Sequence, residues 1–348
     1  MFKCKSLSGL ILFGLLTAVC LTGCRGETDN ISKALSALEN GNTDDARASL
    51  DEAVKKEEDE KLLERAEGIY DMTQGNYEGA IDHFNKAISL SNGYVKEEDI
   101  DISYYLMAAK EKTGDRQGAI ETISAILGMR PKDYMGYFIR GRLNIESDLY
   151  DDGIRDFNRA VDNAPEGPDM YLRIYEYLNS KGYDEAAQNY LSQASSLDYK
   201  LTDYQKGRIA YYHGDYEAAR DYLEKARLQD DGDVILYLGM TYEALGSASF
   251  AESLYKTYIE AHPDDVAVLN RLGICRMAIN DFEGARHAFE DALDVKGGGM
   301  RQDLEFNLIV ALEKCGEFDE ARAKMDEYAK HYSLTEAEEK EKKFLSTR

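Results

Sequence analysis

The fold class the sequence predicts is all-α, an array of about nine helix hairpins closed by a capping helix, and three observations predict it. A small residue recurs along the chain at Ala46, Ala80, Ala119, Gly153, Ala187, Ala219, Ala251, Ala285 and Ala321. Five positions earlier stand Gly41, Gly75, Gly114, Asp148, Gly182, Gly214, Gly246, Asn280 and Gly316, the residue types that best tolerate a left-handed backbone. Four positions later stand Leu50, Phe84, Ile123, Phe157, Leu191, Leu223, Tyr255, Phe289 and Met325, all large and apolar. A small residue lets two helices approach, and a large one a turn later fills the gap on the same face.

The first element of the chain is not part of this array. Lys3 and Lys5 precede an apolar run from Leu10 to Leu21, which ends in Leu21-Thr22-Gly23-Cys24. A basic start, a short apolar stretch and a small-residue cleavage site are the parts of a secretory signal, and the run is too short to span a bilayer. The four-residue ending resembles the lipobox of bacterial lipoproteins. That resemblance implies cleavage after Gly23 and diacylation of Cys24 on sulfur. Two acyl chains suffice for stable anchoring. The expected domains are therefore a signal peptide at 1–23, a lipidated cysteine and short tether at 24–30, the solenoid at 31–331 and a cap at 332–348. Location on the extracytoplasmic face of a cell membrane follows, with the outer membrane as the site if the organism has two.

The array begins with its least regular unit, whose turn carries Asn42-Thr43 and no aromatic residue. The 39-residue spacing between Ala80 and Ala119, against 32 to 36 elsewhere, places an inserted loop near Ser89 to Ile100. Pro131, Pro165 and Pro263 stand twelve residues after their small residue, where a second helix should stop. Segments such as 207–226 (GRIAYYHGDYEAARDYLEKA) and 273–292 (GICRMAINDFEGARHAFEDA) closely resemble tetratricopeptide repeats. Departures are Met107, Tyr175 and Ile309, which replace the small residue of the first helix. The resemblance implies a right-handed superhelix whose concave face, formed by the first helices, binds protein segments. At the end, Thr335 with Glu338 three positions on makes a capping box that opens a charged final helix to about Phe344.

Composition excludes several functions. The 348 residues carry 42 Lys+Arg against 66 Asp+Glu, a net charge of −24, so no basic cluster is available to release counterions from nucleic acid. The five His are scattered over different repeats without metal-ligand spacing, and no phosphate-loop or nucleophile motif is present. The reading is no enzyme, no cofactor and no metal. The many carboxylates read as a solvated surface. Cys275 and Cys315 read as small buried hydrophobes rather than a disulfide.

What remains is binding. Counting from the small residue of each first helix, the positions three before, one after and four after share a stripe expected to be exposed. Aromatic residues and Arg favoured at interface hot spots pick out Arg65, Tyr104, Phe138, Arg142, Tyr204, Arg208, Tyr211 and Asn270 from it. The triple Tyr204, Arg208, Tyr211 is the most suggestive set. The expected function is a membrane-anchored scaffold for protein or peptide partners of the cell envelope, with the oligomeric state left open. The alternative is an obligate non-catalytic subunit of an envelope assembly, secretion or pilus-biogenesis machine.

Overall fold

The computed structural model describes residues 30–91, 93, 95–165, 167–197, 201–229, 231–295 and 299–348. Among them there are nineteen α-helices and no strand. In chain order they are α1 (Asn30–Glu39), α2 (Thr43–Lys55), α3 (Glu60–Thr73), α4 (Tyr77–Ser89), α5 (Glu97–Lys112), α6 (Arg116–Met129), α7 (Tyr134–Glu146) and α8 (Tyr150–Asn163). There follow α9 (Asp169–Ser180), α10 (Asp184–Ser195), α11 (Asp203–Tyr212), α12 (Tyr216–Ala226), α13 (Gly232–Ala244) and α14 (Ala248–Ala261). The last five are α15 (Val266–Ala278), α16 (Phe282–Asp294), α17 (Arg301–Cys315), α18 (Phe318–His331) and α19 (Glu336–Leu345). Odd and even helices up to α18 are the first and second members of nine pairs. The described residues form two compact units, one of 30–165 with Glu176–Gly182 and one of Gly167–Tyr175 with Tyr183–Arg348.

All nine turn residues named from the sequence carry positive φ, from 60° at Asp148 to 84° at Gly114 and Gly316. The chain reverses there because a left-handed residue ends the first helix while its N–H still reaches back to a helical carbonyl. The next helix is often opened by an Asp or Asn whose side chain accepts a backbone N–H, as Asp115 does from Gly118 and Asp281 from Gly284. The three proline stops also hold: α6, α8 and α14 end two residues before their proline.

The small and large residues of the repeat form the interior. Ala46, Ala80, Ala119, Ala187, Ala219, Ala251, Ala285 and Ala321 are buried, and so are all nine large partners four residues on. The approach is closest where the first helix carries glycine. A Cβ on Gly68, Gly207, Gly239 or Gly273 would fall 2.5 Å or less from Phe84, Leu223, Tyr255 or Phe289 respectively. Fully burying such a large side chain contributes roughly 1.5–3 kcal/mol, and the absent Cβ is what makes room for it.

Four local expectations change or sharpen. The first pair is fully formed, with Ala34, Leu50 and Ala53 buried, so an aromatic residue in its turn is unnecessary. The inserted segment is shorter than read, because α4 runs to Ser89 and α5 starts at Glu97 under a Lys96–Asp99 cap. Cys315 is half-exposed, unlike the fully buried Cys275, and both are free thiols. Not all carboxylates are solvated: Glu64, Asp99, Asp156 and Glu338 are buried and paired. The final helix opens on the Thr335–Glu338 capping box and docks through buried Leu345, with Glu338 accepting from the Tyr328 hydroxyl at 3.0 Å.

Candidate docking surface on the first helices

The first helices carry the stripe named from the sequence, and the structure divides its residues into two groups. Cys24 and the motif Leu21, Thr22, Gly23 lie outside the described residues.

The first group stitches one first helix to the next. Arg65 on α3 donates through Nε to Asp101 on α5 at 2.6 Å, with its guanidinium 5.3 Å from the Tyr105 ring centre. Tyr104 on α5 donates its hydroxyl to Asp133, the N-cap of α7, at 2.6 Å; burial, then this carboxylate, holds the phenol far above its ordinary range. Arg142 on α7 pairs with Glu111 on α5 at 2.8 Å. Phe138 is buried, with Phe157 at 5.7 Å and Tyr177 of α9 at 6.4 Å between ring centres. Asn270 on α15 is buried and accepts from Asn307 of α17 at 3.0 Å.

The exposed-stripe reading is therefore corrected for Phe138 and Asn270, and at the other stripe positions for Ala108, Ile145, Leu172, Leu236, Met277 and Val310, which are also buried. Phe138, Leu172, Leu236 and Asn270, which stand three before the small residue, share one physical reason. The position three before the small residue points at the following first helix, as the Arg65, Tyr104 and Asn270 contacts show, so packing covers what single-helix geometry leaves open.

The second group is an aromatic cluster. Arg208 on α11 places its guanidinium 5.4 Å from the Tyr204 ring centre and 5.0 Å from that of Tyr237 on α13. Tyr204 meets Tyr237 edge-on at 6.1 Å. Tyr211 packs against Tyr212, Tyr216 and Tyr237 at 5.8, 5.6 and 5.9 Å. The hydroxyls of Tyr212 and Tyr237 lie 2.5 Å apart, and the Tyr175 ring meets that of Tyr212 at 4.6 Å with the planes tilted by 52°. Tyr237 and Tyr175 are buried, whereas Tyr204, Arg208 and Tyr211 keep part of their surface in solvent. Cation–π and edge-to-face contacts fix these side chains before anything binds. The sequence reading found the exposed triple and missed its support, Tyr175, Tyr212, Tyr216 and Tyr237. Tyr density was the available signal: five Tyr fall within 204–222.

Of the acidic halves of the stitches, Glu111 and Glu243 stand on the stripe itself, four after the small residue, whereas Asp101 and Asp133 were missed; only the register of neighbouring helices gives any of them partners. Glu243 receives Arg271 at 2.6 Å and the Tyr255 hydroxyl at 2.9 Å. Among the described residues no group of three or more His, Cys, Asp or Glu is placed to hold a metal ion. Burial, then the nearby carboxylates, pushes the Cys275 thiol up to about 12 and the Cys315 thiol to about 11, so both are protonated at neutral pH.

Comparison with known proteins agrees with this architecture. The tetratricopeptide repeat family model matches residues 31–95, 109–168, 204–266, 236–298 and 270–333. A curated relative, tetratricopeptide repeat protein 16 of Mus musculus, is 24% identical over 184 residues, which is 50% of this chain and 21% of the mouse protein. This chain thus spans about a fifth of that relative. The crystal structure of yeast Tom70 superposes with a TM-score of 0.56 at 17% identity, covering 86% of this chain and 66% of that one, a likeness of fold alone. A tetratricopeptide repeat protein from Parabacteroides merdae gives a TM-score of 0.44 at 16% identity over 81% of this chain and 97% of its own. With a family model matched over more than half its length, the chain belongs to the tetratricopeptide repeat family.

Proposed function

We propose that this protein is a lipid-anchored, extracytoplasmic scaffold that docks protein or peptide partners on its first helices, centred on Tyr204, Arg208 and Tyr211. Tetratricopeptide repeats are protein-interaction scaffolds, and that general role carries over with the family. The observation that carries the finer reading is the aromatic cluster. Tyr204, Arg208 and Tyr211 are partly exposed and already locked by Tyr212, Tyr216 and Tyr237, so a partner meets rigid side chains and little rotamer entropy is lost on binding. The anchoring part rests on the sequence alone, Leu21-Thr22-Gly23-Cys24 behind a short apolar run. No helix among the described residues is long and apolar enough to cross a membrane.

The test is photocrosslinking in the cell of origin, with a photoreactive amino acid replacing Tyr211 and, as control, the exposed Lys225 of α12. One dominant extracytoplasmic protein captured at 211 and not at 225 is the expected result. Equal, diffuse capture at both positions overturns the docking assignment. A captured species that always runs as one fixed large complex on native gels redirects the reading to an obligate subunit of an envelope machine.

A further inference from the structure

We infer that the edge formed by the loops α2–α3, α4–α5 and α6–α7 faces the lipid surface and inserts Val54, Val95 and Met129 into it. This inference rests on the anchoring reading above and adds an orientation to it.

The first argument is geometric. The start of α1 lies on this edge, because the Glu58 carboxylate in the α2–α3 loop accepts from Asn30 N at 2.9 Å, from Asn30 Nδ2 at 2.6 Å and from Ile31 N at 3.2 Å. The loops themselves are tied together by side chains. Lys61, at the start of α3, reaches Glu98 at 3.1 Å and Asp99 at 2.6 Å, at the start of α5. Glu97 in turn pairs with Arg130 in the α6–α7 loop. One continuous edge therefore runs from the beginning of α1 to Arg130.

The second argument is the tether. Five residues, 25 to 29, separate Cys24 from Asn30. Fully extended they reach no more than about 20 Å. A lipid on Cys24 then holds this edge nearest the bilayer.

The third argument is the surface chemistry. Val54, Val95 and Met129 are 53%, 60% and 44% exposed, large apolar side chains left open to solvent on this edge. Each is followed at once by cations: Lys55 and Lys56, Lys96, and Arg130 with Lys132. An apolar tip beside a long basic side chain suits the boundary between acyl chains and headgroups, where the stem of the Lys lies along apolar surface and its ammonium stays in water. The same edge also carries Glu57, Glu58, Asp59, Glu60, Glu97 and Glu98, so the contact is an apolar one with a zwitterionic surface and not an attraction to anionic lipid.

The chain contains no Trp, so a single introduced Trp reports its own surroundings. Full-length protein, processed and lipidated in a bacterial host, is reconstituted into phosphatidylcholine vesicles with and without brominated acyl chains, as Val95→Trp, Met129→Trp and Leu149→Trp. Leu149 is 45% exposed but lies in the α7–α8 turn, at the other end of its hairpin. Insertion to roughly 5–10 Å predicts a blue shift and loss of most emission to bromine at 95 and 129, with neither at 149. Flotation of the same samples separates the two readings. Protein that floats with vesicles but shows equal or no quenching at all three positions overturns the oriented edge and leaves the anchor standing. Protein that does not float, or that still takes up labelled acyl chains as Cys24→Ser, overturns the anchor and this inference with it.

Discussion

The hairpins α13–α14 and α17–α18 fill the same slot in opposite ways. In α13–α14 the first helix carries Gly239 and the second Tyr255; a Cβ on Gly239 would stand 2.2 Å from the tyrosine ring. In α17–α18 the first helix carries Ile309 and the second Met325, both buried in one cluster. The same division runs through the chain. Gly68, Gly141 and Gly273 face Phe84, Phe157 and Phe289, whereas the helices bearing Met107, Tyr175 and Ile309 are followed by Ile123, Leu191 and Met325. Opposite a first-helix glycine the second helix supplies the bulk, an aromatic ring at four of the five sites and Leu223 at Gly207, whereas a bulky first-helix residue fills part of the space itself. At the departures Met107, Tyr175 and Ile309 the first helix itself contributes a buried side chain to the crossing.

Breaking this comparison at its tightest point should have the largest effect. Gly239→Val forces branched carbons into the Tyr255 ring and should destabilise its hairpin by about 3 kcal/mol or more, read as lost amide-exchange protection in α13 and α14. Segment-resolved exchange suits a repeat array better than one melting temperature, since each pair can open on its own. Emptying the slot comes next: Phe289→Ala should cost about 3–5 kcal/mol and Met325→Ala about 2–5 kcal/mol. A double change sharpens the idea. Gly273→Ala with Phe289→Leu should cost less than the sum of the singles by about 1–3 kcal/mol, and strict additivity would refute shared volume.

A glycine used for its backbone gives a smaller effect. Gly214 has φ 77° and open space around its missing side chain, so Gly214→Ala should cost about 1–2 kcal/mol from left-handed strain alone. Its neighbour Gly207, crowded by Leu223, should reject alanine through contact instead.

The smallest effect is pH-dependent and belongs to α17 and the final helix. Burial, then the nearby Glu313, raises the Glu341 carboxyl to about 7, and its buried Oε1 has no hydrogen-bond partner. Glu313 is held below its usual range: burial opposes this, but the hydrogen bonds from Glu341 and Lys314 outweigh it. Because Glu341 binds its proton more tightly folded than unfolded, its contribution is complete below about 4.5 and lost as pH rises to about 7. Glu341 is half-buried, and screening by the solvent on its open side reduces the effect to about 1 kcal/mol. Exchange protection of α19 should therefore fall between pH 4.5 and 7 and become flat in Glu341→Gln.

The same contrast explains what could be read in advance. Turn residues and small–large pairs act within one hairpin, at fixed offsets of five and four residues, so counting along the chain finds them. Phe138, Asn270 and Arg142 depend on a neighbour about 30 to 40 residues away, and no local pattern states which side of a first helix that neighbour covers.

The sequence by itself determined the nine pairs, their left-handed turns, the proline stops and the capping box on the last helix, because each is a short-range consequence of backbone sterics and helical periodicity. Only the tertiary structure decided which stripe residues are buried, which carboxylates answer Arg65, Tyr104, Arg142 and Arg271, and that Tyr204, Arg208 and Tyr211 rest on a scaffold of further tyrosines. The physical reason is that burial and charge pairing depend on the register between successive hairpins, which is set by the packing of all of them and not by any one segment.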